Sequence, residues 1–172
     1  MTHDNSPQLH THASTDESRP VSGYARDVAE AASSQTVDRV RRGYEFWNSG
    51  TPDLMLDLYA EDAELDLSAV FTDMGVYRGR DSMRRQLDAL WEAWEGVRMD
   101  PLAVFDVGGG RFVVDLRWWG RGKRSGVEVD QRAAFLYTFR AADNKIVRGQ
   151  LFPSVEAAMD FATGSEQVAR AG

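Results

Sequence analysis

Asp115 and Arg117 stand two residues apart in the run Arg111-Phe112-Val113-Val114-Asp115-Leu116-Arg117-Trp118-Trp119. β-branched and aromatic residues fill this run, so it reads as a strand, and alternate residues of a strand share a face. Asp115 and Arg117 then lie with Val113 and Trp119, while Phe112, Val114, Leu116 and Trp118 lie opposite. An acid and a guanidinium beside an indole could perform general-base chemistry. Asp115 would take a proton, directly or through a water, and Arg117 or Tyr137 would stabilise the negative charge that develops on the substrate. Two plainer readings compete. The pair could be structural, because a buried acid needs a partner, and a neighbouring guanidinium favours the ionised carboxylate and weakens it as a base. Alternatively this face lies outside the sheet, where the charges are solvated or meet a second copy of the chain.

The elements that must position these residues are legible from periodicity and punctuation. Strands are expected over 97–106, 111–119, 126–140 and 145–152, separated by Gly108-Gly109-Gly110 and by the turn Ala141-Ala142-Asp143-Asn144. The triple glycine joins two strands instead of opening a helix, so it does not read as a phosphate loop. A short strand is expected over 63–67. Helices are expected over 36–49, with Val37, Val40, Tyr44 and Trp47 inward, and over 51–59, opened by Thr51-Pro52-Asp53. A third, capped by Asp81, carries Met83, Leu87, Leu90, Trp91 and Trp94, and a last one covers 153–163. Residues 68–80 read as a long connection. Helices grouped before a run of strands give an α+β fold: a curved, mixed or antiparallel sheet packed on N-terminal helices.

Composition bounds the function. The 172 residues carry a formal net charge of -7, which argues against nucleic acid or an anionic membrane surface as partner. There is no cysteine, hence no disulfide, thiol nucleophile or thiolate metal site, and no apolar run of membrane-spanning length. A cytoplasmic location is the default expectation. Residues 1–35 are polar and read as a disordered tail, the domain as 36–163 and residues 164–172 as a frayed end. All three histidines, His3, His10 and His12, fall in the tail, so the folded part offers no His. No metal-ligand spacing is present, and neither metal nor cofactor is expected.

Several stretches resemble the SnoaL-like branch of the nuclear-transport-factor-2-like superfamily. They are Tyr44-Glu45-Phe46-Trp47-Asn48-Ser49-Gly50, Leu58-Tyr59-Ala60-Glu61-Asp62-Ala63, Tyr77-Arg78-Gly79-Arg80-Asp81, Ser125-Gly126 and the hairpin 135–147. The resemblance implies a cone-shaped sheet closed by helices around a ligand cavity, and homodimers formed through the sheet. Trp118, beside Phe112 and Leu116, would mark that dimer surface. A ketosteroid-isomerase-type site implies an acid, a Tyr and an acid at places that here hold Leu67, Gly43 and Phe135, with Tyr44 next to the second. A cyclase-type site implies a His. A limonene-type epoxide hydrolase implies an Arg and an Asp two apart on the strand that here reads Asp115-Leu116-Arg117, in reversed order. Its further acid falls at Leu151, and its Tyr and Asn at Leu65 and Leu67.

On this register Asp115, Arg117 and Trp119 face the cavity with Leu65, Leu67, Gln131, Phe135, Tyr137 and Leu151. Such a cup suits a small hydrophobic molecule, flat if Trp119 and Phe135 stack on it. Two functions follow. One is a cofactor-independent lyase, isomerase or hydrolase using Asp115, Arg117 and Tyr137. The other is a binding or dimeric structural module that has lost the ancestral site.

Overall fold

Turn chemistry threads the four long strands into hairpins. The computed structural model describes the backbone of residues 21–170 and the side chains of residues 33–164. In chain order the elements are α1 (Val21–Asn48), α2 (Pro52–Leu56), β1 (Tyr59–Asp66), β2 (Val76–Arg78), α3 (Arg80–Ala93), β3 (Trp94–Gly108), β4 (Arg111–Gly122), β5 (Glu128–Arg140), β6 (Lys145–Phe152) and α4 (Val155–Arg170). The β3–β4 turn needs glycine. Gly110 has φ +72°, and a Cβ there would stand 3.0 Å from the carbonyl oxygen of Phe139. The β5–β6 turn uses Asn144 at φ 52°, a left-handed conformation that Asn tolerates.

The strands form one six-stranded sheet in the order β2-β1-β6-β5-β4-β3. β1 and β6 run parallel, and the other neighbours are antiparallel. Register shifts in β3, and between β1 and β6, bend the sheet, as bulges do. α1, α2 and α3 fill its concave side with a core that includes Val40, Tyr44, Trp47 and Met83. α4 covers part of the convex side, where Ala158 and Ala162 meet Val113, Ala134 and Leu136. This is the expected α+β class.

Several boundaries differ from the sequence reading. α1 begins at Val21, so residues 21–35 continue the helix and Thr36 is inside it, not its cap. The rest of the expected tail, with its histidines, lies outside the described residues. The α4 backbone continues past Gly164 to Arg170. α2 stops at Leu56 because the chain already pairs with β6: Ile146 N–H donates to the Leu58 carbonyl at 2.9 Å, and Tyr59 opens β1. The connection 68–80 contains β2, which pairs with β1 through Leu65 and Tyr77. Trp94 keeps the helical spacing of α3, yet its backbone is extended and it pairs with Gly122 as the first residue of β3.

β3 is an edge strand, and α1 closes part of that edge. The Asn48 side chain acts as a substitute strand: its amide donates to Met99 O at 2.7 Å, and its oxygen accepts from Met99 N–H at 2.9 Å. Asn48→Ala should therefore lower unfolding free energy by about 1–2 kcal/mol in a urea melt, for two lost hydrogen bonds. Asn48→Asp should lower it at least as much, because its second carboxylate oxygen would face the Met99 carbonyl and Asp100 Oδ1, which the amide now bonds at 2.7 and 3.4 Å.

Candidate functional site

Inside the cone is a cavity of about 120 Å³. The sheet gives it a firm wall of Leu65, Leu116, Trp118, Ala133, Phe135 and Leu151. The opposite wall is softer, with Met55 from α2, Met74 from the β1–β2 connection, Met83 from α3 and Met99 from β3. Methionine is flexible and polarisable, so this wall can adjust to a ligand's outline. The Phe71 and Trp94 rings stand edge-on to Trp118, with centroids 6.4 and 5.3 Å away. Phe135 stacks on Tyr137 at 5.2 Å with only 5° between the planes.

The polar groups of the lining are few. Gln86 donates its amide to Met74 Sδ at 3.5 Å, and Gln131 is exposed. Tyr59 and Tyr137 also line the space, and Tyr44 stands behind Tyr137 with their hydroxyls 2.7 Å apart. Burial pushes all three phenols well above their ordinary value of 10.0. Repulsion from Tyr137 raises Tyr59 further, and repulsion from Tyr44 raises Tyr137. The contact with Tyr137 offsets part of the rise at Tyr44. All three therefore stay neutral at physiological pH and act as hydrogen-bonding groups, not as bases. Among the described residues no three His, Asp or Glu side chains converge as a metal would require.

The structure brings six of the predicted site residues together: Leu65, Leu67, Gln131, Phe135, Tyr137 and Leu151 line the cavity. It turns the other three away. In the β4–β5 ladder Asp115 is opposite Ala134, Leu116 opposite Ala133 and Trp118 opposite Gln131. Directly paired residues share a face. Since Gln131, Ala133 and Phe135 face inward, so do Trp118, Leu116 and Val114, and Asp115, Arg117 and Trp119 face outward with Val113. Odd residues of β4 pair with even residues of β5, so the expected odd-with-odd cup is geometrically impossible. The hydrolase-like pair is displaced by one residue from the cavity face.

On the outer face Asp115 and Arg117 each have a partner on β5. Asp115 is 5% exposed and is held by Arg132, whose Nε donates to Oδ1 at 3.3 Å and whose Nη2 binds Oδ2. Arg117 binds Asp130 through a fork at 2.8 and 2.6 Å. That fork lowers the Asp130 carboxyl and raises the guanidinium. Trp119 lies over Gly96, where a Cβ would come within 2.6 Å of its ring. Trp118, expected as an outer dimer contact, is inside the cone, so the apolar mark for pairing through the sheet is absent there. Arg78 and Arg80 form surface pairs with Glu64, Asp57 and Glu61.

Residues 40–149 match the family model of the SnoaL-like domain. The chain belongs to that family. Its structural neighbours include a nuclear-transport-factor-2-like protein from Burkholderia thailandensis (26% identity, TM-score 0.61, covering 73% of this chain and 94% of that one). A ketosteroid-isomerase-like protein from Catenulispora acidiphila, in complex with trimethylamine, shares 17% identity at TM-score 0.56, over 64% of this chain and 81% of that one. TerC, co-crystallised with polyporic acid, shares 17% at TM-score 0.60, over 74% and 98%. No curated protein matches the chain. In this SnoaL-like domain no helix among the described residues is long and apolar enough to cross a membrane.

Sequence reasoning missed Tyr59, Trp47, Trp118 and the methionines as cavity residues. Tyr44 and Trp47 carried a usable signal, since their spacing on α1 placed them on the buried side, but they read as ordinary core. Tyr59 was assigned to a helix end.

Two outcomes follow. Asp115→Asn should lower stability by about 1 kcal/mol, because it weakens one partly solvated ion pair, and should leave binding of any cavity ligand unchanged; denaturant melts and ligand titrations of the same variant check both. At high pH the folded chain keeps protons on Tyr44, Tyr59 and Tyr137 that the unfolded chain releases above about 10. Their stabilisation is complete below that value and is lost progressively as pH rises from it toward the raised values of the folded chain. Phenolate absorbance at 295 nm from these three should therefore appear together with unfolding, not before it.

Proposed function

We propose that this SnoaL-like protein binds a small, neutral, largely apolar molecule inside the cone, oriented by tyrosine hydroxyls, and that Asp115 takes no part. The observation that carries this reading is the lining itself: aromatic rings and methionines, with tyrosine hydroxyls, glutamine amides and indole N–H groups, among them the unpartnered one of Trp47, as the polar groups. An ionised ligand would lose its hydration there without a counter-charge, which costs several kcal/mol. A cavity of about 120 Å³ is close to the ~150 Å³ apolar void that takes up benzene. It fits one substituted ring or a compact bicycle, with the methionine wall yielding to the larger of these.

The tyrosines set the ligand's polar requirement. The Tyr44–Tyr137 hydrogen bond uses one of those two hydroxyl protons, and Tyr59 brings a further hydroxyl to the lining. That hydroxyl can donate to a ligand oxygen. The preferred ligand therefore carries a carbonyl, ether or phenol oxygen on an apolar frame. The structural neighbours with trimethylamine and polyporic acid support the view that this fold accommodates small organic molecules. A lyase, isomerase or hydrolase step through Asp115 has no support, because that carboxylate lies on the other side of the sheet.

The test uses 2-naphthol and the charged 2-naphthalenesulfonate. 2-Naphthol should quench tryptophan fluorescence saturably and raise Tm, since a ligand that binds only the folded state stabilises it. The sulfonate should bind at least tenfold more weakly. Ala133→Phe, which fills the cavity from β5, should abolish the 2-naphthol response while the protein remains folded. Equal binding of both compounds, or an unaffected Ala133→Phe variant, would contradict the proposal.

A further inference from the structure

A second concavity, of about 590 Å³, opens on the surface where α1, α2 and the β5–β6 turn meet. It is distinct from the cone. α1 contributes Arg39, Arg42 and Phe46 at intervals of three and four residues, which puts them along one helix face. Arg39 is half-buried, and its Nε is enclosed with no hydrogen-bond acceptor among the described residues. A guanidinium N–H withdrawn from water without an acceptor is costly, and such a group calls for a partner. Arg42, one turn further on, is exposed and makes no ion pair among the described residues.

The other charges of the groove are largely committed. Lys145 donates to the Asp57 carbonyl oxygen, and the Asp57 carboxylate is held by Arg80 at 3.2 Å. Asp38 is the remaining acid and is exposed. Two arginines against one acid leave the groove cationic. Its floor is apolar: Leu54 is 44% exposed beside Leu58 and Phe46. The guanidinium fork matches a carboxylate, and the floor matches a short hydrocarbon.

We propose that this groove is a second ligand site, for a small monocarboxylate with an apolar tail. The carboxylate lies between Arg39 and Arg42, and the tail lies over Leu54 and Leu58. The site does not depend on what occupies the cone.

The experiment follows backbone amide NMR signals of the full chain during titration with hexanoate and, separately, with 1-hexanol. Hexanoate should move the signals of Arg39, Arg42, Leu54 and Lys145, less so as salt is raised. 1-Hexanol should leave them in place. Affinity for hexanoate should fall at least tenfold in Arg42→Gln and in Leu54→Glu, both at exposed positions, with unchanged thermal melts. Ala133→Phe, which closes the cone, should leave hexanoate binding intact. The proposal is overturned if hexanoate leaves these signals unmoved, if 1-hexanol moves them equally, if Arg42→Gln binds as well as the unaltered chain, or if Ala133→Phe abolishes the response.

Discussion

The pairing of β4 with β5 is the constraint on which the site depends. Once Leu116 is set opposite Ala133, every side chain of β4 and β5 is committed to one face. The inner set, Val114, Leu116 and Trp118 with Ala133, Phe135 and Tyr137, is apolar or phenolic. The outer set carries Asp115, Arg117, Asp130 and Arg132. A slip of β4 by one residue against β5 would put Asp115 and Arg117 into the cone and turn out Trp118, which now lines it. Burial of unpaired charge makes that alternative prohibitive, so the hydrophobic pattern itself fixes the register.

The same constraint separates the charged chemistry from the cavity. Asp115 is buried, but beneath Arg132 on the convex side, near the apolar contact with α4. Its role is to satisfy a guanidinium and pin β4 to β5. The cavity keeps neutral donors. The Tyr44–Tyr137 hydrogen bond ties α1 to the sheet across the core, and the stacking of Phe135 on Tyr137 fixes a ring that lines the cavity. On the proposed reading, recognition inside the cone is a matter of shape, apolar contact and one or two hydroxyl hydrogen bonds.

Much of the fold was legible in the sequence because it rests on local signals. Gly108-Gly109-Gly110 and Asn144 mark turns, β-branched and aromatic runs mark strands, and the stripe Val40, Tyr44 and Trp47 marks the buried side of α1. The site was legible only in part, because it depends on pairing across strands. Alternation along β4 gave two consistent faces but not which one turns inward, and the resemblance to a hydrolase pair favoured the wrong one. β5 was read correctly, and comparing its inward set with the length of the β4–β5 turn could have exposed the conflict. Tyr59 was missed for another reason: Leu54 and Leu58 extend a helical pattern past α2, whereas pairing of residues 58 and 59 with Ile146 converts the chain to strand. Trp94 shows the same override of local periodicity by the sheet.

The most direct measurement is NMR of methionine methyl groups, with Met55, Met74, Met83 and Met99 assigned, during addition of 2-naphthol. The account predicts that these methyl signals shift and saturate together, while the methyl signals of Val113 and Ala134 on the outer face stay fixed. If the outer-face methyls move and the four methionines do not, the ligand sits on the Asp115 side of the sheet and the assignment of the cone as the binding site is wrong.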